Sequence, residues 1–135
     1  MNHKKEHFCR SIYESIGFIL KENILTLESI TNIEIDSILS VGGASKSSFL
    51  SQLKSDISNK KIIVTKNKEV GCLGVAILSA VANNLYKNID EACRNMIRID
   101  KTYEPNNELI SIYDERYKMF KEIFNNVKNL FLNYY

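Results

Sequence analysis

Apolar positions recur along this chain with two periods. From Phe8 to Glu28, the residues Phe8, Ile12, Ile16, Ile19, Leu20, Ile24 and Leu27 keep the 3.6-residue spacing of an amphipathic helix. Gly17 interrupts that helix and points to close packing on a neighbouring strand, because a helical glycine costs about 1 kcal/mol against alanine. Met1 to His7 reads as a frayed start, and Ser29 to Glu34 as a loop. Ile35 to Val41 is a short apolar run and predicts a strand. After Gly42-Gly43, Phe49, Leu50, Leu53 and Ile57 mark one face of a second helix, over Ser45 to Asn59.

Lys61 to Thr65 carries Ile62, Ile63 and Val64 in succession, the pattern of a buried strand. Val70 to Tyr86 is apolar nearly all round and predicts a helix buried on more than one side. Gly71 and Gly74 near its start leave room for another backbone or a ligand. Asn88 to Ile97 is a short helix with Asn88 and Glu91 spaced as a capping box. Ile99 to Asn106 is extended, and Pro105 suits a helix boundary. Asn107 to Leu132 is a long helix. Its stripe of Tyr113, Tyr117, Phe120, Phe124, Val127 and Phe131 reads as packing. Two strands joined through a helix form a right-handed parallel βαβ unit. Two strands make a thin sheet, and parallel strands need both faces covered. The pattern looks like half of a domain whose earlier strands are missing.

Composition narrows this reading without redirecting it. The chain has 135 residues, enough for one domain with a single core. A net charge of +2, with lysines spread along the chain, gives no basic face for nucleic acid or a membrane surface. Cys9, Cys72 and Cys93 have no paired spacing, so neither a disulfide framework nor a zinc site is expected, and Cys72 and Cys93 read as small core residues. The polar N-terminus has no signal-peptide pattern, and Val70 to Leu85 is too short to span a bilayer. A cytoplasmic setting follows.

The chemistry converges on Val41-Gly42-Gly43-Ala44-Ser45-Lys46-Ser47. A strand that ends in two glycines and leads into a helix makes a niche for a flat ligand and offers free N–H groups to anions and polar edges. A plain βα turn explains the same residues. The stretch is not a P-loop, since no Gly-Lys-Ser/Thr stands at the required spacing, and it lacks the third glycine of a dinucleotide fingerprint. His3 and His7 have no partners suited to metal, and the aspartates are scattered. Asp56 reads either as a surface charge or as the anchor of the next turn. No catalytic group and no metal ligand set emerges.

These residues together resemble the C-terminal end of the FGGY carbohydrate kinases, a family of the actin-like ATPase superfamily, and in particular its xylulokinase-type members. Arg10 to Phe18 is similar to the family's Arg-Ala-x-x-Glu-Gly helix. Val41 to Ser47 resembles its Gly-Gly-Gly-Ala-Lys-Ser adenosine motif, and Ser55-Asp56 falls at its Ala-Asp. Glu69 to Leu78 resembles its Leu-Gly-Ala-Ala-Ile-Leu-Ala helix. Pro105 and Tyr113 to Tyr117 match its Pro…Tyr-x-x-x-Tyr tail. Ala44 and Ser45 stand where the family has Gly and Ala, and Ser11 and Ser15 where it has Ala and Gly.

The resemblance implies a partial ribonuclease-H-like α/β fold over residues 1–135, entered at the helix after its third strand. It implies that Gly42, Gly43 and Ala44 line the adenine and ribose of ATP, with Ser47 beside the base. It implies phosphoryl transfer from ATP to a sugar or polyol hydroxyl. The Mg²⁺, the catalytic Asp, the Asp-x-Gly-Thr phosphate loop and the sugar site would be supplied by parts outside these residues, so the segment by itself is expected to be inactive. A second reading, from another class, is a non-catalytic module that pairs its open strand edge or apolar helix faces with a second copy as a homodimer.

Overall fold

The computed structural model describes residues 3–67 and 69–132, with the side chains of residues 129–132, Phe131 among them, outside the described set. Helix α1 (Lys5–Thr31) leads to strand β1 (Ser37–Ser40), a 3₁₀ turn (Gly43–Lys46), helix α2 (Ser48–Ser58) and strand β2 (Lys61–Thr65). Helices α3 (Val70–Ala82) and α4 (Ile89–Met96) follow, then strand β3 (Ile99–Tyr103), a 3₁₀ turn (Asn107–Leu109) and helix α5 (Ile110–Leu132). The α/β class and the parallel βαβ unit agree with the sequence pattern. α1 begins at Lys5, inside the stretch expected to fray, and runs on to Thr31.

The sheet has the order β1-β2-β3. β1 and β2 are parallel, with Ser40 opposite Val64, while β3 is antiparallel to β2, with Ile62 opposite Tyr103. The third strand was not legible as one. Ile99-Asp100-Lys101-Thr102-Tyr103 lies exposed up to Tyr103, and so lacks a hydrophobic alternation. Its pairing comes from β2, which supplies the ladder.

α1 and α2 pack on each other and cover one face of the sheet, where Leu20 and Ile38 meet Ile62, Val64 and Tyr103. A second cluster joins Phe18 of α1, Leu53 and Ile57 of α2, and Tyr113 and Tyr117 of α5. Gly17 permits this approach. A Cβ there would stand 2.5 Å from Ile57 Cδ1. The close packing expected at Gly17 is therefore real, but its neighbour is a helix and not a strand. The aromatic stripe of α5 is packing in its first half: Phe120 stacks on Phe18, with ring centroids 5.3 Å apart. Phe124, one turn on, is exposed.

Two expectations fail at α3. The helix ends at Ala82, and Val75 and Leu78 are exposed, although the sequence reads as buried all round. α3 packs chiefly on α4, so most of its apolar surface has no cover among the described residues. Cys72 on α3 is likewise exposed and Cys93 on α4 half-buried, neither being a core residue.

Helix ends rely on asparagine. Asn32 and Asn59 take the left-handed conformation after α1 and α2, where glycine is more usual. At α4, Asn88 Oδ1 accepts the Glu91 N–H at 2.9 Å, and Glu91 Oε2 accepts the N–H of Lys87 at 2.7 Å, one residue before the partner a capping box predicts.

Candidate functional site

The parallel pairing of β1 and β2 sends the chain out of both strands at one edge of the sheet. The glycine turn leaves β1 there, and the segment leading to α3 leaves β2 there. β3 enters at the same edge, where Thr65 pairs with Ile99 and the Lys66 N–H donates to the Arg98 carbonyl at 2.9 Å. In open α/β sheets, ligands bind outside these carboxyl ends.

The turn itself is built in three steps. Gly42 has φ +79°, a region L side chains seldom enter. Ser45 then closes a 3₁₀ turn, its N–H and its hydroxyl both donating to the Gly42 carbonyl, at 3.2 and 2.7 Å. Ser45 is buried, while Gly43, Ala44 and Lys46 face out. Ser47 caps α2, its Oγ accepting the Leu50 N–H at 3.2 Å. The helix expected from Ser45 therefore starts at Ser48, because the Ser45 and Ser47 hydroxyls favour turn and cap over helix interior.

Gly43, Ala44 and Ser47 thus lie exposed along one short rim at the edge, and Gly42, which completes it, is half-buried. Of the two glycines, only Gly42 has a conformational reason to be one. At Gly43 a Cβ would meet nothing within 4 Å. The chain's own packing leaves that position open to a side chain, and a flat ligand against the main chain is what a Cβ would obstruct. Nothing among the described residues stands within 4 Å of a Cβ at Gly71 or Gly74 either, so none of their backbone approaches α3 there. Asn67, Glu69, Cys72, Leu73 and Ala76 line a shallow depression of about 430 Å³ at the start of α3.

Asp56 is buried and ties two segments together. Its Oδ1 accepts the Gln52 amide at 2.8 Å and the Asn106 N–H at 2.9 Å. Of the two roles left open for it, neither matches fully: it holds the turn after β3 rather than the one after α2. Next to it, the buried Ser55 Oγ lies 2.8 Å from the Lys60 carbonyl and 3.0 Å from that of Tyr103.

A separate groove of about 350 Å³ lies between α1 and α5, lined by Ile19, Glu22, Phe120, Lys121, Phe124 and Lys128 among others. Of its lining side chains, Glu22 and Lys121 pair across the helices. The Tyr117 hydroxyl donates to Glu22 Oε2, and Lys121 Nζ stands 3.4 Å from the same carboxylate. The Tyr117 bond holds Glu22 below the usual carboxylate range, while burial, and then Glu22, push Tyr117 well above the usual phenol range. Sequence reasoning missed this network. Its signal was the Glu14 and Glu22 positions on one helix and Arg116 and Lys121 on the other. We read it as a bond between helices, since the groups satisfy one another.

Among the described residues no group of three or more His, Cys, Asp or Glu side chains converges to hold a metal ion, and no helix is long and apolar enough to cross a membrane.

By architecture, this is an α/β unit with a small mixed sheet and its candidate site outside the ends of the two parallel strands. The chain belongs to the FGGY family of carbohydrate kinases: residues 1–83 match the family's C-terminal domain. It is 34% identical over 128 residues to a xylulose kinase of Staphylococcus epidermidis, covering 95% of this chain and 26% of that protein. It is 33% identical over 118 residues to a glycerol kinase of Bacillus cereus, covering 87% and 23%. Among solved structures, the ligand-bound xylulose kinase of Lactobacillus acidophilus superposes with a TM-score of 0.81 at 27% identity, over 93% of this chain and 25% of that one. The Plasmodium falciparum glycerol kinase with ADP superposes with a TM-score of 0.74 at 27% identity, over 96% and 25%. The fold is that of the actin-like sugar kinases. The chain spans about a quarter of the length of the curated relatives it matches.

Proposed function

We propose that this chain is the adenine-nucleotide-binding C-terminal portion of a sugar kinase, and that the complete enzyme transfers the ATP γ-phosphoryl group to a sugar or polyol hydroxyl. The observation that carries this reading is the glycine rim at the strand ends, with a Gly43 that the chain's own packing does not require. Its kinship with xylulose, ribulose and glycerol kinases supports the acceptor class. The related glycerol kinase solved with ADP supports the nucleotide.

In this reading Gly42, Gly43 and Ala44 lie against the adenine and ribose. Gly42 turns the main chain so that the rim lies flat, and Gly43 keeps it free of a Cβ. Ser47, whose Oγ already accepts the Leu50 N–H, keeps its hydroxyl proton to offer the base. Mg²⁺ would bridge the phosphates of bound ATP. The described residues present no ligand set for it, so its protein ligands would lie elsewhere, as would the base that takes the proton of the sugar hydroxyl. The enzyme would work in the cytoplasm on small molecules, without nucleic acid or membrane partners.

Calorimetric titration with ADP tests the assignment. Weak binding that Gly43→Asp abolishes is the expected result. Binding that Gly43→Asp leaves untouched would sink the site assignment.

A further inference from the structure

α1 and α5 meet through long side chains. Glu14 Oε1 accepts from Arg116 Nη1 at 3.0 Å, and Lys21 Nζ reaches Asp114 Oδ1 at 2.6 Å. Phe18 stacks on Phe120. Contacts of this reach leave room between the helices, and beside Phe120 that room is the groove of about 350 Å³.

The walls of the groove are apolar. Phe120 and Phe124 stand one helical turn apart with their rings nearly parallel, 19° between planes and 6.3 Å between centroids. Ile19 stands across from them on α1. Phe124 is 58% and Ile19 52% exposed, so both keep apolar surface for a ligand to cover.

The polar groups of the groove divide into used and unused. Glu22 is taken by the Tyr117 hydroxyl and by Lys121. Lys128, one turn beyond Phe124, meets no carboxylate among the described residues. The side-chain amides of Asn23 and Asn125 make no hydrogen bond among them either. The groove therefore holds one ammonium group without a counter-charge and two amides with donors to spare.

That inventory discriminates between ligand classes. A sugar or polyol needs a partner for each of its several hydroxyls, more than two amides and a lysine supply, and it wastes the apolar walls. A nucleotide or sugar phosphate brings two or more negative charges to a single free lysine beside the Glu22 carboxylate. A monocarboxylate brings one charge and an apolar body. The groove lies at the small end of ligand sites, which run from about 300 to 1,000 Å³, and so fits a body of one or two rings.

We propose that the groove between α1 and α5 is a binding site for a flat apolar monocarboxylate. Lys128 takes the carboxylate charge, the Asn23 and Asn125 amides donate to its oxygens, and the body lies between Ile19 and the Phe120–Phe124 wall. The site is separate from the glycine rim. α1 turns Gly17 to α2 and Glu22 to α5, so the groove is on the flank of α1 away from α2 and the turn that precedes it.

The test titrates the ¹⁵N-labelled full 135-residue chain with naphthalene-2-carboxylate and, in parallel, with naphthalene-2-methanol, which keeps the rings and lacks the charge. The expected result is saturable shifts at Asn23, Phe120, Phe124, Asn125 and Lys128, with the carboxylate bound about threefold to fivefold more tightly than the alcohol, the scale of one exposed ion pair. Lys128→Gln should abolish that preference and leave the affinity for the alcohol unchanged. Phe124→Ala should weaken both ligands by about fivefold. Both positions are exposed, so each variant should keep the circular dichroism of the parent chain. Absence of saturable binding, shifts centred elsewhere, equal affinity for acid and alcohol, or a preference that survives Lys128→Gln would each overturn the proposal. So would a homodimer in sedimentation that buries the groove and leaves it silent to both probes. None of these readouts involves nucleotide, so failure here is distinct from failure of the ADP titration.

Discussion

The junction of α1, α2 and α5 and the carboxyl edge of the sheet obey different logic. At the junction, the residues that stand out in the sequence have their reasons within the chain. Gly17 admits Ile57, Asp56 holds Asn106, and Phe18 fills the space beneath Tyr113 and Tyr117. At the edge, reasons within the chain run out after Gly42. Gly43, Ala44 and Ser47 face open space, and Val75 and Leu78 on α3 stay exposed. On the proposed reading, the difference separates residues that serve folding from residues that serve a bound nucleotide.

Substitutions should divide along that line. Ile57 is fully buried, so Ile57→Ala should lower unfolding free energy by about 2–5 kcal/mol in urea titration. Gly17→Val should cost about 1–3 kcal/mol by overpacking against Ile57, and combining it with Ile57→Ala should recover part of that loss. At the edge, Gly42→Ala should cost about 1–3 kcal/mol, since φ +79° with ψ −164° is a conformation open essentially to glycine alone. Gly43→Ala should change stability by less than about 0.5 kcal/mol while weakening ADP binding. A Gly43→Ala cost as large as that at Gly17 would erase the contrast.

The smallest effect is the pH dependence of the helix contacts. Hydrogen bonds from Tyr117 to Glu22, and from Lys60 and the Ile35 N–H to Glu28, hold both carboxyls below their ordinary range. Their contribution is complete above the unfolded value of about 4.3 and is lost as pH falls from there through the lowered folded values. Burial and Glu22 raise Tyr117, so its contribution is complete below about pH 10 and is lost as pH rises beyond that. The thermal midpoint should therefore hold level between these limits and fall outside both. Glu22→Gln should flatten the acid limb.

Most of the fold was legible because its helices are long and periodic. β2 was placed to the residue, since a run of Ile62, Ile63 and Val64 admits few alternatives. β3 was not, because an edge strand needs little apolar character and takes its pairing from a neighbour. α3 misled for the opposite reason: its composition records a burial that the described contacts do not supply. The candidate rim was legible as a motif, Gly42 to Ser47, but its detail was not. The 3₁₀ turn and the shift of the helix start to Ser48 depend on where the hydroxyls of Ser45 and Ser47 find acceptors or donors. The pairing of charges between α1 and α5 was not legible, since its partners lie about a hundred residues apart and the charges on each helix do not say which meet.

The most direct measurement of the central claim is amide shift mapping of the ¹⁵N-labelled chain during ADP titration. The account predicts saturable shifts centred on Gly42, Gly43, Ala44 and Ser47, with little change on α5. Shifts confined to the groove around Glu22, Lys121 and Lys128, with the glycine rim silent, would contradict it.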